Sequence, residues 1–152
     1  MTYDIISKRV KKNIISITNP NDIFYFLQKY AKSRQEQFLV ITLCSFHRVI
    51  GIHIATIGLI NKTIIHSREI FYHAIKDNAY AIVLAHNHPS GSLLPSPKDI
   101  ELTFDIINAG KILGFPVVDH IIFNKKTFIS LREQGFNFNE KSEKTMKEKS
   151  SK

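Results

Sequence analysis

The sequence predicts a mixed three-layer α/β domain, and three observations carry that prediction. Apolar runs of strand length are interspersed with segments of helical periodicity instead of being segregated from them. Some neighbouring runs look like hairpins, which a regular doubly wound parallel sheet does not contain. At 152 residues the chain is about one domain in length, enough for a sizeable core.

Residues 5–17 carry β-branched side chains interrupted by a basic cluster, and read as an edge strand or irregular arm. Asn19-Pro20-Asn21-Asp22 starts a helix, with Asn19 as N-cap and Pro20 in the first turn. Ile23, Phe24, Leu27, Tyr30 and Ala31 share one face of it. Residues 38–43 are nearly all apolar, as in a central strand, and residues 45–48 turn the chain. Ile50, Ile52 and Ile54 then alternate with Gly51, His53 and Ala55 as a second strand. Residues 62–66 predict a short strand. Ser67 is expected to cap a second helix with Ile70, Phe71, Ala74 and Ile75 inward. Residues 79–85 form a short buried strand, and a third helix runs from Ser96-Pro97 to Gly114. Residues 117–123 and 127–131 predict a hairpin around Asn124-Lys125-Lys126. Beyond Asn137 the chain is polar and is expected to be disordered.

Composition bounds the function classes. No apolar run reaches the roughly 20 residues of a membrane span, and Met1-Thr2-Tyr3-Asp4 does not resemble a signal peptide. The single Cys44 excludes an intrachain disulfide and a cysteine-rich zinc site. The expectation is a soluble, cytoplasmic protein without a membrane partner. Nothing in the sequence sets an oligomeric state. The formal net charge of +8 suits an anionic partner such as nucleic acid. Much of it sits in Lys8, Arg9, Lys11, Lys12 and the tail, without interleaved aromatic residues. Solvated basic faces and a phosphate-tracking surface both remain open.

Chemistry concentrates in His86-Asn87-His88-Pro89-Ser90-Gly91, followed by Ser96 and Asp99. In extended chain, His86 and His88 share a face while Asn87 points away. Pro89 keeps His88 extended. Two such histidines with Asp99 make a three-ligand set that leaves a position for water, the catalytic zinc pattern, and predict metal-assisted hydrolysis with one Zn2+. Ser96-Pro97-Lys98-Asp99 is also a helix capping box. The two readings are compatible, because a helix start holds Asp99 rigidly. A proton acceptor is still needed, and spacing alone does not choose among Glu36, Glu69 and Glu101.

Ala85 to Gly91, then Pro95-Ser96, Asp99 and Thr103, resemble the signature of the RadC family, a bacterial branch of the JAMM (MPN+/JAB) metalloprotease-like superfamily. The likeness continues through Glu36 to Val40, His66 to Phe71, Asp119 to Ile122 and Ser130 to Gly135. It implies a three-layer mixed-sheet JAB1/MPN-like (cytidine-deaminase-like) domain over residues 20–136, after an N-terminal arm (1–19) and before a polar tail (137–152). It implies His86, His88 and Asp99 as zinc ligands, Ser96 as an oxyanion-stabilising hydroxyl and Glu36 as the catalytic acid. Superfamily members with this metal set hydrolyse peptide or isopeptide bonds, so a peptide or protein substrate is expected. RadC proteins also carry a DNA-repair label.

Three departures from the family pattern stand out. The helix-hairpin-helix region of longer RadC proteins is expected to be missing, Cys44 replaces a usual acid, and Ser67 replaces a usual proline. Asp119-His120 reads as a structural Asp-His pair in preference to a second metal site. Amidohydrolases need a barrel of about 250 residues. Metallo-β-lactamases need further ligands where Ser90-Gly91 stands, and the letters His86-Asn87-His88 match HNH nucleases only by accident. The leading expectation is a zinc-dependent amide hydrolase. The alternatives are a DNA-associated factor or metal-dependent nuclease, and a non-catalytic MPN scaffold. Asn87, residues 90–94 and residues 57–60 are expected to line an open groove that takes an extended peptide by β-pairing.

Overall fold

The computed structural model describes residues 16–58 and 65–139. Most of the expected arm, the start of the strand expected over 62–66 and nearly all of the tail lie outside the described residues. Ile65 and His66, which are described, belong to no strand. The elements run α1 (Pro20–Leu27), β1 (Gln37–Leu43), β2 (Val49–Ile57), α2 (Ser67–Lys76), β3 (Ala81–Asn87), α3 (Pro97–Leu113), β4 (Val117–Phe123) and β5 (Phe128–Ser130).

The five strands form one mixed sheet in the order β2-β1-β3-β4-β5. β1 lies antiparallel to both β2 and β3, and β5 is antiparallel to β4. Only β3 and β4 are parallel, because α3 crosses over between them. Period-2 alternation sends successive side chains to opposite faces, and both faces are covered. On one face Phe38, Val40, Ile82, Leu84 and Ile122 meet α2 and α3 through Ile70, Phe71, Phe104 and Ile107. On the other, Leu39, Ile41, Leu43, Val83 and Ile121 meet α1 through Ile23 and Leu27. The result is helix, sheet, helix: the three layers expected from the sequence.

The ends of the elements follow from local chemistry. Asn19 Oδ1 accepts the Asn21 and Asp22 N–H groups, while Asp22 returns the favour to the Asn19 N–H. α3 ends at Gly114, whose φ of 78° suits a residue without Cβ. Gly110 serves packing instead: a Cβ there would lie 2.4 Å from the Phe115 carbonyl oxygen.

Two expectations about α2 are corrected. Its N-cap is His66, not Ser67, and the Glu69 carboxylate accepts the His66 N–H at 3.3 Å. The acid at the third helical position therefore marks the start better than the serine does. Ile75 is exposed, and His73 is buried in its place. The His73 ring stacks on His53 of β2, with centroids 4.4 Å apart and planes 14° apart. His53 Nε2 in turn lies 2.6 Å from Asp77.

That stack has a consequence for acid stability. Burial, then the neighbouring His53, lowers the His73 pKa from the usual 6.5 to about 4. Between those values the unfolded chain holds the extra proton, so this contribution is complete above pH 6.5 and is lost as pH falls through 4. The unfolding free energy from urea titrations should drop across that window, by at most about 1.4 kcal/mol per pH unit, and by less where solvent screens the ring. His73→Phe should flatten the slope. An unchanged slope in the variant would place the acid sensitivity elsewhere.

Candidate metal centre

β3 carries six buried residues of alternating facing up to His86, and its ladder with β4 continues one residue past the strand, where the His88 N–H donates to the Phe123 carbonyl at 3.1 Å. His88 therefore stays extended, on the same face as His86. Their Nε2 atoms stand 2.9 Å apart. The Pro89-Ser90 turn then reverses the chain, and Gly91, at φ 88°, is held from behind by Asn124, whose Nδ2 donates to the Gly91 carbonyl.

The N-terminus of α3 brings in Asp99. Its N–H donates to Ser96 Oγ at 3.1 Å, and its Oδ2 accepts the Ser96 N–H at 2.7 Å, so the capping box is real. The carboxylate still faces the histidines, with Oδ1 3.5 Å from His86 Nε2 and Oδ2 3.7 Å from His88 Nε2. Burial opposes its ionisation, but the His86 ring and the two groups of Ser96 outweigh that and hold the carboxyl well below the usual range.

Glu36 closes the group from the segment leading into β1. Its Oε1 lies 3.6 Å from His88 Nε2. Glu36, His86, His88 and Asp99 each offer one ligand atom, and these atoms lie within 4.8 Å of one another. The place is chemically apt: the carboxyl end of β3 and the start of α3, where a mixed sheet opens a crevice. Glu69 and Glu101 are not part of this group; Glu69 is spent on the α2 cap.

The donor set fits a divalent ion. His88 Nδ1 lies 2.6 Å from the Ser92 carbonyl oxygen, which can only accept, so the proton sits on Nδ1 and Nε2 keeps its lone pair. Two nitrogen and two carboxylate donors around one point suit zinc and its neighbours.

The group opens on a cleft of about 480 Å³, lined by residues including Arg34, Gly58, Ser90, Ser92, Leu94 and Ser96. Asn87 does not line it, which corrects the expectation. Strand alternation turns its side chain to the far side, where Oδ1 accepts the Gln37 N–H at 2.7 Å and Nδ2 donates to the Gln35 carbonyl at 3.1 Å. Asn87 thereby staples the backbone on both sides of Glu36 to the strand that carries the histidines.

Asp119 and His120 do not form a ring–carboxylate pair. The Asp119 carboxylate accepts the Ser130 hydroxyl and the His120 and Arg132 N–H groups, and burial pushes its pKa up. The His120 ring emerges on the opposite face of β4 and meets His86 Nδ1 at 2.8 Å and Thr103 Oγ1 at 2.6 Å. The sequence signal for this contact was Thr103, one helical turn beyond Asp99 and so on the same face.

Comparison with known families matches residues 17–136 to the RadC-like JAB domain. A UPF0758 protein of Clostridium kluyveri is 41% identical over 135 residues, which covers 86% of this chain and 59% of the relative. A UPF0758 protein of Clostridium tetani is 41% identical over 120 residues, covering 78% and 53%. A UPF0758 protein of Methanospirillum hungatei is 42% identical over 128 residues, covering 83% and 57%. The chain thus spans little more than half the length of these relatives.

Proposed function

This chain belongs to the family of RadC-like JAB domains, and from that premise we propose that it is a zinc-dependent hydrolase acting on a peptide or isopeptide bond. The observation that carries the reading is the convergence of Glu36, His86, His88 and Asp99 within 4.8 Å at one end of an open cleft. His86, His88 and Asp99 would hold the ion, which supplies Lewis acidity and an acidified attacking water. Glu36 sits at the cleft wall, within reach to take the proton of the attacking water and return it to the departing amine. Ser96 lines the cleft, and its O–H, which favours the Asp99 carboxylate in this structure, would be available to a developing oxyanion once a bound ion takes up that charge.

An extended substrate suits this cleft. β2 is an edge strand, and its end at Ile57-Gly58 reaches the cleft, with the Gly58 N–H donating to the Glu36 carbonyl. Along Val49–Ile57 it pairs with β1 alone among the described strands. A peptide laid along it would bring its backbone past Gly58 at the cleft wall. The nucleic-acid reading draws less support. Lys8, Arg9, Lys11 and Lys12 lie outside the described residues, and Arg34 is the single Lys or Arg among the described residues lining the cleft.

The test is to incubate the zinc-loaded protein with a mixed peptide library and, separately, with single- and double-stranded DNA at low and high salt. Peptide cleavage that EDTA stops is the expected result. DNA cleavage falling steeply with salt would favour the nuclease reading. Zinc binding without cleavage of either substrate would favour a scaffold. No helix among the described residues is long and apolar enough to cross a membrane.

A further inference from the structure

His86 reaches the metal centre through Nε2, and a metal needs the lone pair there. Which nitrogen carries the proton is decided at the other side of the ring. Asp99 supplies the starting point, because its backbone carbonyl can only accept. Thr103 Oγ1 lies 2.5 Å from that oxygen, a separation that requires a proton between them, so the Thr103 hydroxyl donates to Asp99. Thr103 has no second proton. Its Oγ1 therefore accepts from His120 Nδ1, 2.6 Å away. His120 is completely buried and neither ring nitrogen bonds a carboxylate, since Nδ1 meets Thr103 and Nε2 meets His86, so the neutral ring with its proton on Nδ1 has its lone pair on Nε2. The remaining partner, His86 Nδ1 at 2.8 Å, must donate. That leaves the lone pair of His86 on Nε2, and because His88 also keeps its lone pair on Nε2, the 2.9 Å between the two nitrogens holds no proton and becomes favourable once a cation lies against both and Asp99.

We propose that His120, oriented by Thr103, is a positioning residue that holds His86 in the tautomer and the ring orientation that present Nε2 to a metal ion. The proposal rests on the metal-centre reading above. Packing supports it: Phe38 of β1 lies parallel to the His86 ring (centroids 6.0 Å, planes 10° apart) and meets the edge of His120 at 5.5 Å. Both rings are clamped, so proton placement is the freedom left to them. The chain of contacts is also closed. It starts at Asp99 on α3, passes through Thr103 to His120 on β4, and ends at His86 on β3. The same threonine thus connects two of the proposed ligands, Asp99 through its backbone and His86 through the His120 ring, and ties together three consecutive elements, β3, α3 and β4. Such outer partners commonly change metal affinity ten- to a hundredfold.

The experiment compares the full-length chain with His120→Leu, His120→Gln and Thr103→Val. Long-range proton–nitrogen NMR spectra of the imidazoles in the metal-free protein read the His86 tautomer, and chelator competition reads zinc affinity. Wild-type His86 should be protonated on Nδ1. His120→Leu should shift it toward the Nε2–H form and weaken zinc binding ten- to a hundredfold. His120→Gln, whose side-chain oxygen can accept from His86 Nδ1, should recover much of both. Thr103→Val, nearly isosteric, should produce an intermediate loss and keeps the test alive if His120→Leu does not fold. An unchanged His86 tautomer, with zinc affinity within about twofold of wild type across the series, would overturn the proposal. If wild type itself binds no zinc, the metal-centre reading fails, while the tautomer spectra still decide the role of His120.

Discussion

Replacing Asp99 by asparagine should leave the helix start intact and abolish zinc binding. Two roles meet in this side chain: Oδ2 accepts the Ser96 N–H at 2.7 Å, while Oδ1 faces His86 Nε2 at 3.5 Å. Asparagine keeps an oxygen that can cap, but loses the charge that binds a cation. Thermal unfolding of the metal-free variant should therefore stay within about 1 kcal/mol of wild type, since the cap is retained. Zinc affinity should fall by more than the ten- to hundredfold that loss of an outer partner costs. His88→Ala should lose zinc to a similar degree. If Asp99→Asn binds zinc as wild type does, the carboxylate is a cap and nothing more.

Glu36→Gln should do the opposite, retaining zinc and losing turnover. Glu36 stands 3.6 Å from His88 Nε2, and its backbone is fixed by the Asn87 staple and by the Gly58 N–H. Glutamine fills the same space without a site for the proton. General acid–base groups contribute typically 10²–10⁴-fold, so a rate loss of about that size is expected on any peptide that the wild type cleaves. Isothermal titration should find zinc affinity within a few-fold of wild type. Loss of zinc in Glu36→Gln would make Glu36 a ligand and move the base elsewhere. Full turnover would exclude it from the chemistry.

Much of this centre was legible in the sequence because its signals are local. His86 and His88 need only strand alternation to share a face, and Ser96 with Asp99 needs only the start of a helix. The layered fold followed from the same kind of signal: strands buried on both faces and helices with one apolar stripe. Glu36 needed the family resemblance, since nothing local distinguishes it from Glu69, whose capping role emerges only once His66 is seen to precede the helix. What stayed hidden depends on contacts distant in sequence. Asn87 alternates away from the cleft, but its grip on Gln35 and Gln37 requires β1 and β3 to be neighbours. His73 displaces Ile75 from the buried face because His53 stands opposite. His120 looked paired with Asp119 because they are adjacent in sequence, whereas in a strand adjacency places two side chains on opposite faces.

Anomalous diffraction at the zinc absorption edge, from crystals of the zinc-loaded full-length chain, tests the central claim most directly. The expected result is one peak per chain, bonded to His86 Nε2, His88 Nε2 and an Asp99 carboxylate oxygen at about 2.0–2.2 Å, with Glu36 beyond bonding distance. A peak at another site, or none between His86, His88 and Asp99 at saturating zinc, would contradict it.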